Sequence, residues 1–134
     1  MGKRRIVTLN THLKLDSEIN GKVIELREGY AKVEQQTKEF MVADEQGLVH
    51  GGFTFCAADY AAMAAVNDPY VVLGKSDAKF LTPVKLGDTV ILEGTLLSNE
   101  GMKSSVEVIG TVNGKEVFKG IFTTFTLDKH ILEK

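Results

Sequence analysis

Apolar and polar positions alternate along most of this chain, and one segment breaks the alternation. From Lys22 the pattern is that of half-buried strands. Val23-Ile24-Glu25-Leu26 leads into a two-residue turn at Glu28-Gly29, and Tyr30 to Val42 continues as a long strand candidate. The second half repeats the pattern. Thr89 to Leu97 is rich in β-branched and aliphatic residues, Asn99 to Gly101 supplies turn chemistry, and Ser104 to Val112 follows. Asn113-Gly114 is the sharpest hairpin signal in the chain, because a type I′ turn demands positive φ at both central positions. That turn predicts the cross-strand pairs Val112–Lys115, Ile109–Phe118 and Val106–Ile121, which set apolar residues opposite one another. The last strand runs to about Leu127, and Asp128-Lys129-His130 opens a tail.

The exception runs from His50 to Asn67, where the spacing predicts a helix of about four turns. Six alanines give it high intrinsic propensity, and Asn67-Asp68-Pro69 stops it. It is apolar nearly all round, so it belongs in an interior. The resulting order, β-β-α-β-β-β-β, describes an α+β domain: a largely antiparallel sheet wrapped around one long central helix. Residues 1–21 read as an N-terminal arm, 22–127 as the domain and 128–134 as a C-terminal tail.

Composition narrows the possibilities. At 134 residues the chain is one domain, and 43% hydrophobic with 25% charged residues excludes a disordered protein. Lys and Arg number 16 against 18 Asp and Glu, which argues against a dedicated nucleic-acid binder. The lone Cys56 forbids an intrachain disulfide and fits a reducing compartment. No run is long enough for a signal peptide or a membrane span, so a cytoplasmic protein is expected. One cysteine and widely spaced histidines give no metal-ligand pattern, and none is expected.

The candidate chemistry sits on the helix. Between Phe53 and Val66 the single charged residue is Asp59, and no Lys or Arg occurs from Glu39 to Gly74. At helical spacing its neighbours are Phe55, Cys56, Ala62 and Met63, none of which pairs with a carboxylate. A carboxylate desolvated there is costly unless distant donors or protonation relieve it. Two readings stand: a base or nucleophile, or a side chain that reaches solvent or a remote cation. His50-Gly51-Gly52 opens the same helix, where unpaired N–H groups meet the positive end of the dipole. Glycines let a carbonyl approach those groups, which is one way to build an oxyanion site; they also simply permit a bend.

The stretch HGGFTFCAADYAAMAA, between MVADEQGLV and SDAKFLTPVKLGDTV, resembles the hotdog-fold acyl-CoA thioesterases of the phenylacetate-pathway type. The HGG, the acidic residue nine positions after its His, and Pro83 followed by Gly87-Asp88 carry the resemblance, which covers about residues 22–127. Ser76-Asp77-Ala78-Lys79-Phe80 is similar to the acyl-CoA-binding domain of malonyl-CoA-responsive lipid-synthesis repressors. The resemblance implies thioester hydrolysis, with Asp59 as base or nucleophile, the Gly51 N–H polarising the carbonyl, and His50 and Gly52 shaping the helix start. Family thioesterases often carry Asn six positions before the His, where this chain has Asp44. The repressors carry Asn where this chain has Asp59, and they bind acyl-CoA without cleaving it. The N-terminal arm is too short for their DNA-binding helices.

The resemblance further implies a homodimer, or a dimer of dimers, with acyl-CoA as ligand and no bound cofactor. Phe53, Phe55, Tyr60, Met63 and Phe80 are candidates for an acyl tunnel, as well as for the core. Lys75, Lys79, Lys85, Lys103 and the Lys3-Arg4-Arg5 cluster are candidates for the phosphates of coenzyme A. Two alternatives to hydrolysis remain: a non-catalytic acyl-CoA sensor of the same fold, and a hydratase, whose acid–base motif differs from the one present.

Overall fold

Six strands and one long helix follow one another in the order the periodicity predicts, in a computed structural model that describes residues 7–133. The strands are β1 (Lys22–Arg27), β2 (Tyr30–Gln36), β3 (Val71–Phe80), β4 (Thr89–Glu100), β5 (Lys103–Val112) and β6 (Lys115–Thr126). They form one antiparallel sheet in the order β1-β2-β4-β5-β6-β3. The central helix α2 (Gly51–Val66) touches every strand, so the sheet curls around it. The Lys3-Arg4-Arg5 cluster lies outside the described residues.

The helix sits close to the sheet because both surfaces are stripped of bulk. Ala57, Ala58, Ala61, Ala62 and Ala64 are fully buried. Opposite them, a Cβ added at Gly94 of β4 would stand 2.7 Å from the Ala61 carbonyl oxygen. Such close packing of backbone against backbone leaves the larger core side chains, Leu92, Val106, Phe118 and Phe122, to fill the flanks.

Three local expectations are corrected. Strand β2 ends at Gln36 rather than Val42. Thr37 is drawn away because its N–H and hydroxyl both donate to the Asp88 carbonyl, at 3.1 and 2.7 Å, while the Gly87 N–H donates to its Oγ1 at 2.9 Å. A 3-10 turn at Glu39–Met41 then buries Met41. The Asn113-Gly114 turn does have positive φ at both residues, 49° and 81°, and Val112 pairs with Lys115. Beyond that pair, however, the register slips by one: Ile109 faces Lys119 and Val106 faces Phe122. Val117 is the extra residue of a β-bulge, between the pairs Thr111–Glu116 and Gly110–Phe118. The bulge buries two consecutive apolar side chains, Val117 and Phe118, which strict alternation forbids. Strands β4 and β5 also extend past the expected turn and meet at Gly101-Met102.

The lead-in is not wholly irregular. Residues 17–20 form one helical turn, α1 (Ser17–Asn20), capped by Asp16, whose Oδ1 accepts the Glu18 N–H at 2.9 Å. The buried Gln35 amide donates to the Ile19 carbonyl at 2.8 Å and to the Phe53 carbonyl at 2.7 Å, joining α1 to α2. At the other end of α2, Asn67 closes the helix in the left-handed conformation, φ 57° and ψ 43°. Its side chain accepts from the Asn10 N–H at 2.6 Å and donates to the Thr8 carbonyl at 2.9 Å.

Replacing Gly94 with alanine pushes a methyl into the Ala61 carbonyl. We expect a loss of about 1–3 kcal/mol, read as a lower urea midpoint at unchanged m-value.

Candidate active site on the central helix

The start of α2 is held from three sides. The His50 N–H donates to the Met41 carbonyl at 2.9 Å, Val49 donates to Val84 at 2.8 Å, and Leu86 donates to Gly47 at 2.8 Å. His50 is the N-cap, but its side chain makes no capping hydrogen bond. Its ring instead folds over Gly52, where a Cβ would meet the imidazole at 3.1 Å, and stands edge-on to Phe53 at 6.3 Å. The Gly51 and Gly52 N–H groups, in the first turn, have no intrahelical acceptor. They form a fixed set of donors at the positive end of a sixteen-residue helix.

Asp59 lies two turns further along. Its Oδ1 is buried without a hydrogen-bond partner among the described residues. Burial pushes its carboxyl up to about 6. Cys56, one turn earlier, is half-buried, and burial followed by the Asp59 charge raises its thiol. With Gly52 and Phe55, these residues form the one stripe of α2 that the sheet leaves partly open.

The structure separates the remaining candidates. Asp44 stands in the loop before the helix, and its Oδ1 accepts from the Gln46 and Leu48 N–H groups at 2.9 and 3.2 Å. That carboxylate holds its own turn, the familiar habit of Asp at such positions. Phe53 is half-buried, edge-on to Phe40 at 5.9 Å, and Phe55 packs on Phe122 at 5.5 Å. Met63 is fully buried in the core. Tyr60 lines a groove beneath the lead-in, with Leu9, Leu15 and Val23. Lys75, Lys79, Lys85 and Lys103 are exposed, the first two on the edge strand β3.

Two groups the sequence did not single out also belong here. Thr54 and Val117 join Gly51 and Phe80 around a cleft beside the first helical turn. Thr54 reads as an ordinary helix residue, and Val117 reaches the cleft through the bulge, which has no signature of its own. Eight residues of helix separate Gly51 from Asp59, a rise of about 12 Å. The two therefore cannot meet one thioester within a single chain.

Helix, wrapping sheet and glycine-led helix start together define the hotdog fold. The profile of the thioesterase superfamily matches residues 46–112, and the chain belongs to that superfamily. The Pyrococcus horikoshii protein PH1136 has a solved structure that is 46% identical, with a TM-score of 0.93 over 95% of this chain and 98% of that one. Methylthioribose-1-phosphate isomerase of Aquifex aeolicus (strain VF5) is 47% identical over 121 residues, 90% of this chain but 26% of that protein. A transcription factor FapR from Caldanaerobacter subterraneus subsp. tengcongensis is 29% identical over 121 residues, 90% of this chain and 60% of that protein. This chain thus spans less than two thirds of either curated relative. A hypothetical thioesterase from Streptococcus pneumoniae TIGR4, solved with coenzyme A, shares the fold at 21% identity and a TM-score of 0.74, over 81% of this chain and 87% of that one. Among the described residues, no helix is long and apolar enough to cross a membrane, and no cluster of metal-binding side chains occurs.

Asp59 gives a measurable pH signature in stability. A carboxyl whose folded value lies near 6, against 3.8 unfolded, stabilises the fold when protonated and loses that contribution as pH rises through 6. Asp59→Asn should therefore match the wild type near pH 4. Above pH 6 it should gain up to about 3 kcal/mol, read from urea unfolding across that range.

Proposed function

We propose that this protein hydrolyses an acyl-CoA thioester and does so as a homodimer. The observation that carries the reading is Asp59, whose Oδ1 is buried without a hydrogen-bond partner among the described residues, on a helix otherwise free of charge. A group held ready at about 6 is suited to take a proton, or to attack a carbonyl, near neutral pH. Membership of the thioesterase superfamily supports the same chemistry.

The 12 Å rise between Gly51 and Asp59 calls for a second copy. The partly open stripe of α2 and the exposed edge of β3 are the surfaces a partner covers. Two helices packed antiparallel on those stripes bring the Gly51 N–H of one protomer toward the Asp59 of its partner. There the N–H stabilises the carbonyl oxygen as it gains negative charge. Asp59 either removes a proton from the attacking water or adds to the carbonyl itself. The tetrahedral adduct then collapses and expels the coenzyme A thiolate, which takes up a proton. In the second route, water cleaves the resulting acyl-aspartyl anhydride. His50 shapes the donor turn by covering Gly52.

The relation to the FapR transcription factors supports a second reading, a non-catalytic acyl-CoA-binding regulator. Tight acyl-CoA binding by calorimetry, without thiol release over hours, would establish it.

In a thiol-release assay, Asp59→Asn should keep acyl-CoA binding and lose at least about a hundredfold in kcat. Unchanged turnover in that variant would remove Asp59 from the mechanism. Wild-type kcat/KM should rise with pH and level off above about 6, as the carboxylate ionises. A profile flat from pH 5 to 8 would contradict its role.

A further inference from the structure

We propose that Thr124 is a positioning residue for Asp59: through one ordered water its hydroxyl holds the inward carboxylate oxygen, and so fixes which oxygen of Asp59 turns outward. What the held carboxylate does rests on the thioester reading above; the anchoring itself does not. Thr124 lies on β6 and is fully buried, and its Oγ1 has no hydrogen-bond partner among the described residues. The same is true of Asp59 Oδ1. Asp59 as a whole is only partly buried, so Oδ1 is its inward oxygen and Oδ2 its outward one.

The course of α2 across the sheet brings these two oxygens to one level. A Cβ on Gly51 would stand 3.2 Å from the Phe80 ring, and Phe80 pairs with Phe118, early in β6. One turn on, the Phe55 ring lies 5.5 Å from that of Phe122. The helix therefore advances along β6 in the direction of the strand. Four residues beyond Phe55, on the same helix face, stands Asp59; two beyond Phe122, the next inward position of β6, stands Thr124. Each step is about 6–7 Å. The floor changes character here. Strands β5 and β6 turn Val106, Val108, Phe118 and Phe122 inward, then Ser104 and Thr124, which face each other directly. Leu73 pairs with Thr124 from the other side, while Lys75 and Asp77 further along β3 are exposed. On α2 the titratable neighbour is Cys56, one turn back. At this level the floor thus offers Asp59 hydroxyls and no ionisable group. A buried hydroxyl and a buried carboxylate oxygen are each costly alone, and one water between them satisfies both. The bridge favours the ionised carboxylate, against the effect of burial. With Oδ1 held, Oδ2 keeps a fixed outward direction, where it takes a proton or meets a carbonyl carbon.

The test is a carbon-13 NMR titration of the Asp59 carboxyl in the intact protein, with wild type beside Thr124→Val, Thr124→Ser and Thr124→Cys. Asp59→Asn assigns the signal, and circular dichroism verifies folding. Thiol release from short- to long-chain acyl-CoAs is followed over the same pH range. Thr124→Val keeps the shape and removes the hydroxyl, so the Asp59 midpoint should rise by about half a unit or more. Thr124→Ser should leave it where it is. Thr124→Cys, with a weaker donor, should fall between the two, which decides the matter if the valine variant does not fold. In the assay, Thr124→Val should lower kcat severalfold and move the pH midpoint upward at unchanged KM, which loss of packing alone does not do. An Asp59 midpoint unmoved in both the valine and cysteine variants overturns the anchor, whatever the turnover. A serine variant that behaves like valine overturns it as well. A midpoint that moves as expected while no thioester is cleaved keeps the anchor and removes the hydrolase reading.

Discussion

Close contact between a small-residue helix and the sheet around it governs the rest of the molecule. The helix backbone at Ala61 approaches Gly94 so tightly that no side chain fits between them. Interior helices of this kind have no room for hydrated charge, and the alanines supply none. Asp59 stands at the edge of that packed surface, where one carboxylate oxygen is buried without a partner among the described residues and partial burial raises the carboxyl to about 6. The same contact sets the direction of the helix, and so where its donor-bearing first turn emerges beside β3 and the loop before β4.

The fold was legible because each level of the sequence agreed with the others. Period-two segments, the Asn113-Gly114 turn and the alanine-rich apolar segment all pointed to one helix within an antiparallel sheet. The failures have local causes. Thr37 looks like a strand residue, and only its bonds to the distant Asp88 turn pull it out of β2. The bulge at Val117 depends on how two buried side chains share the space beside Gly110, where a Cβ would meet Leu92 at 2.7 Å. Neither long-range contact leaves a trace in the local pattern.

The candidate site was legible in part, for a similar reason. Asp59 and the glycine pair stand out as exceptions, a lone charge in an apolar helix and two flexible residues at its start. Thr54 and Val117 are unexceptional where they stand in the sequence. They matter through what the fold lays beside them. Asp44, a substrate-binding candidate six residues before His50, also holds its own turn by accepting from the Gln46 and Leu48 N–H groups, a contact that its spacing from His50 does not announce. Spacing along one helix also carries a message that residue identity does not: the donor turn and the carboxylate are too far apart to serve one substrate alone.

Gln35 has a mechanical meaning beyond its hydrogen bonds. One amide nitrogen ties the lead-in helical turn to the carbonyl of Phe53, within the first turn of the helix that bears the site. Asn67 straps the same lead-in to the far end of that helix. The segment ahead of the sheet is thus tied to both ends of the central helix. The lead-in and the central helix therefore share hydrogen bonds at both helix ends, so the placement of one constrains the placement of the other.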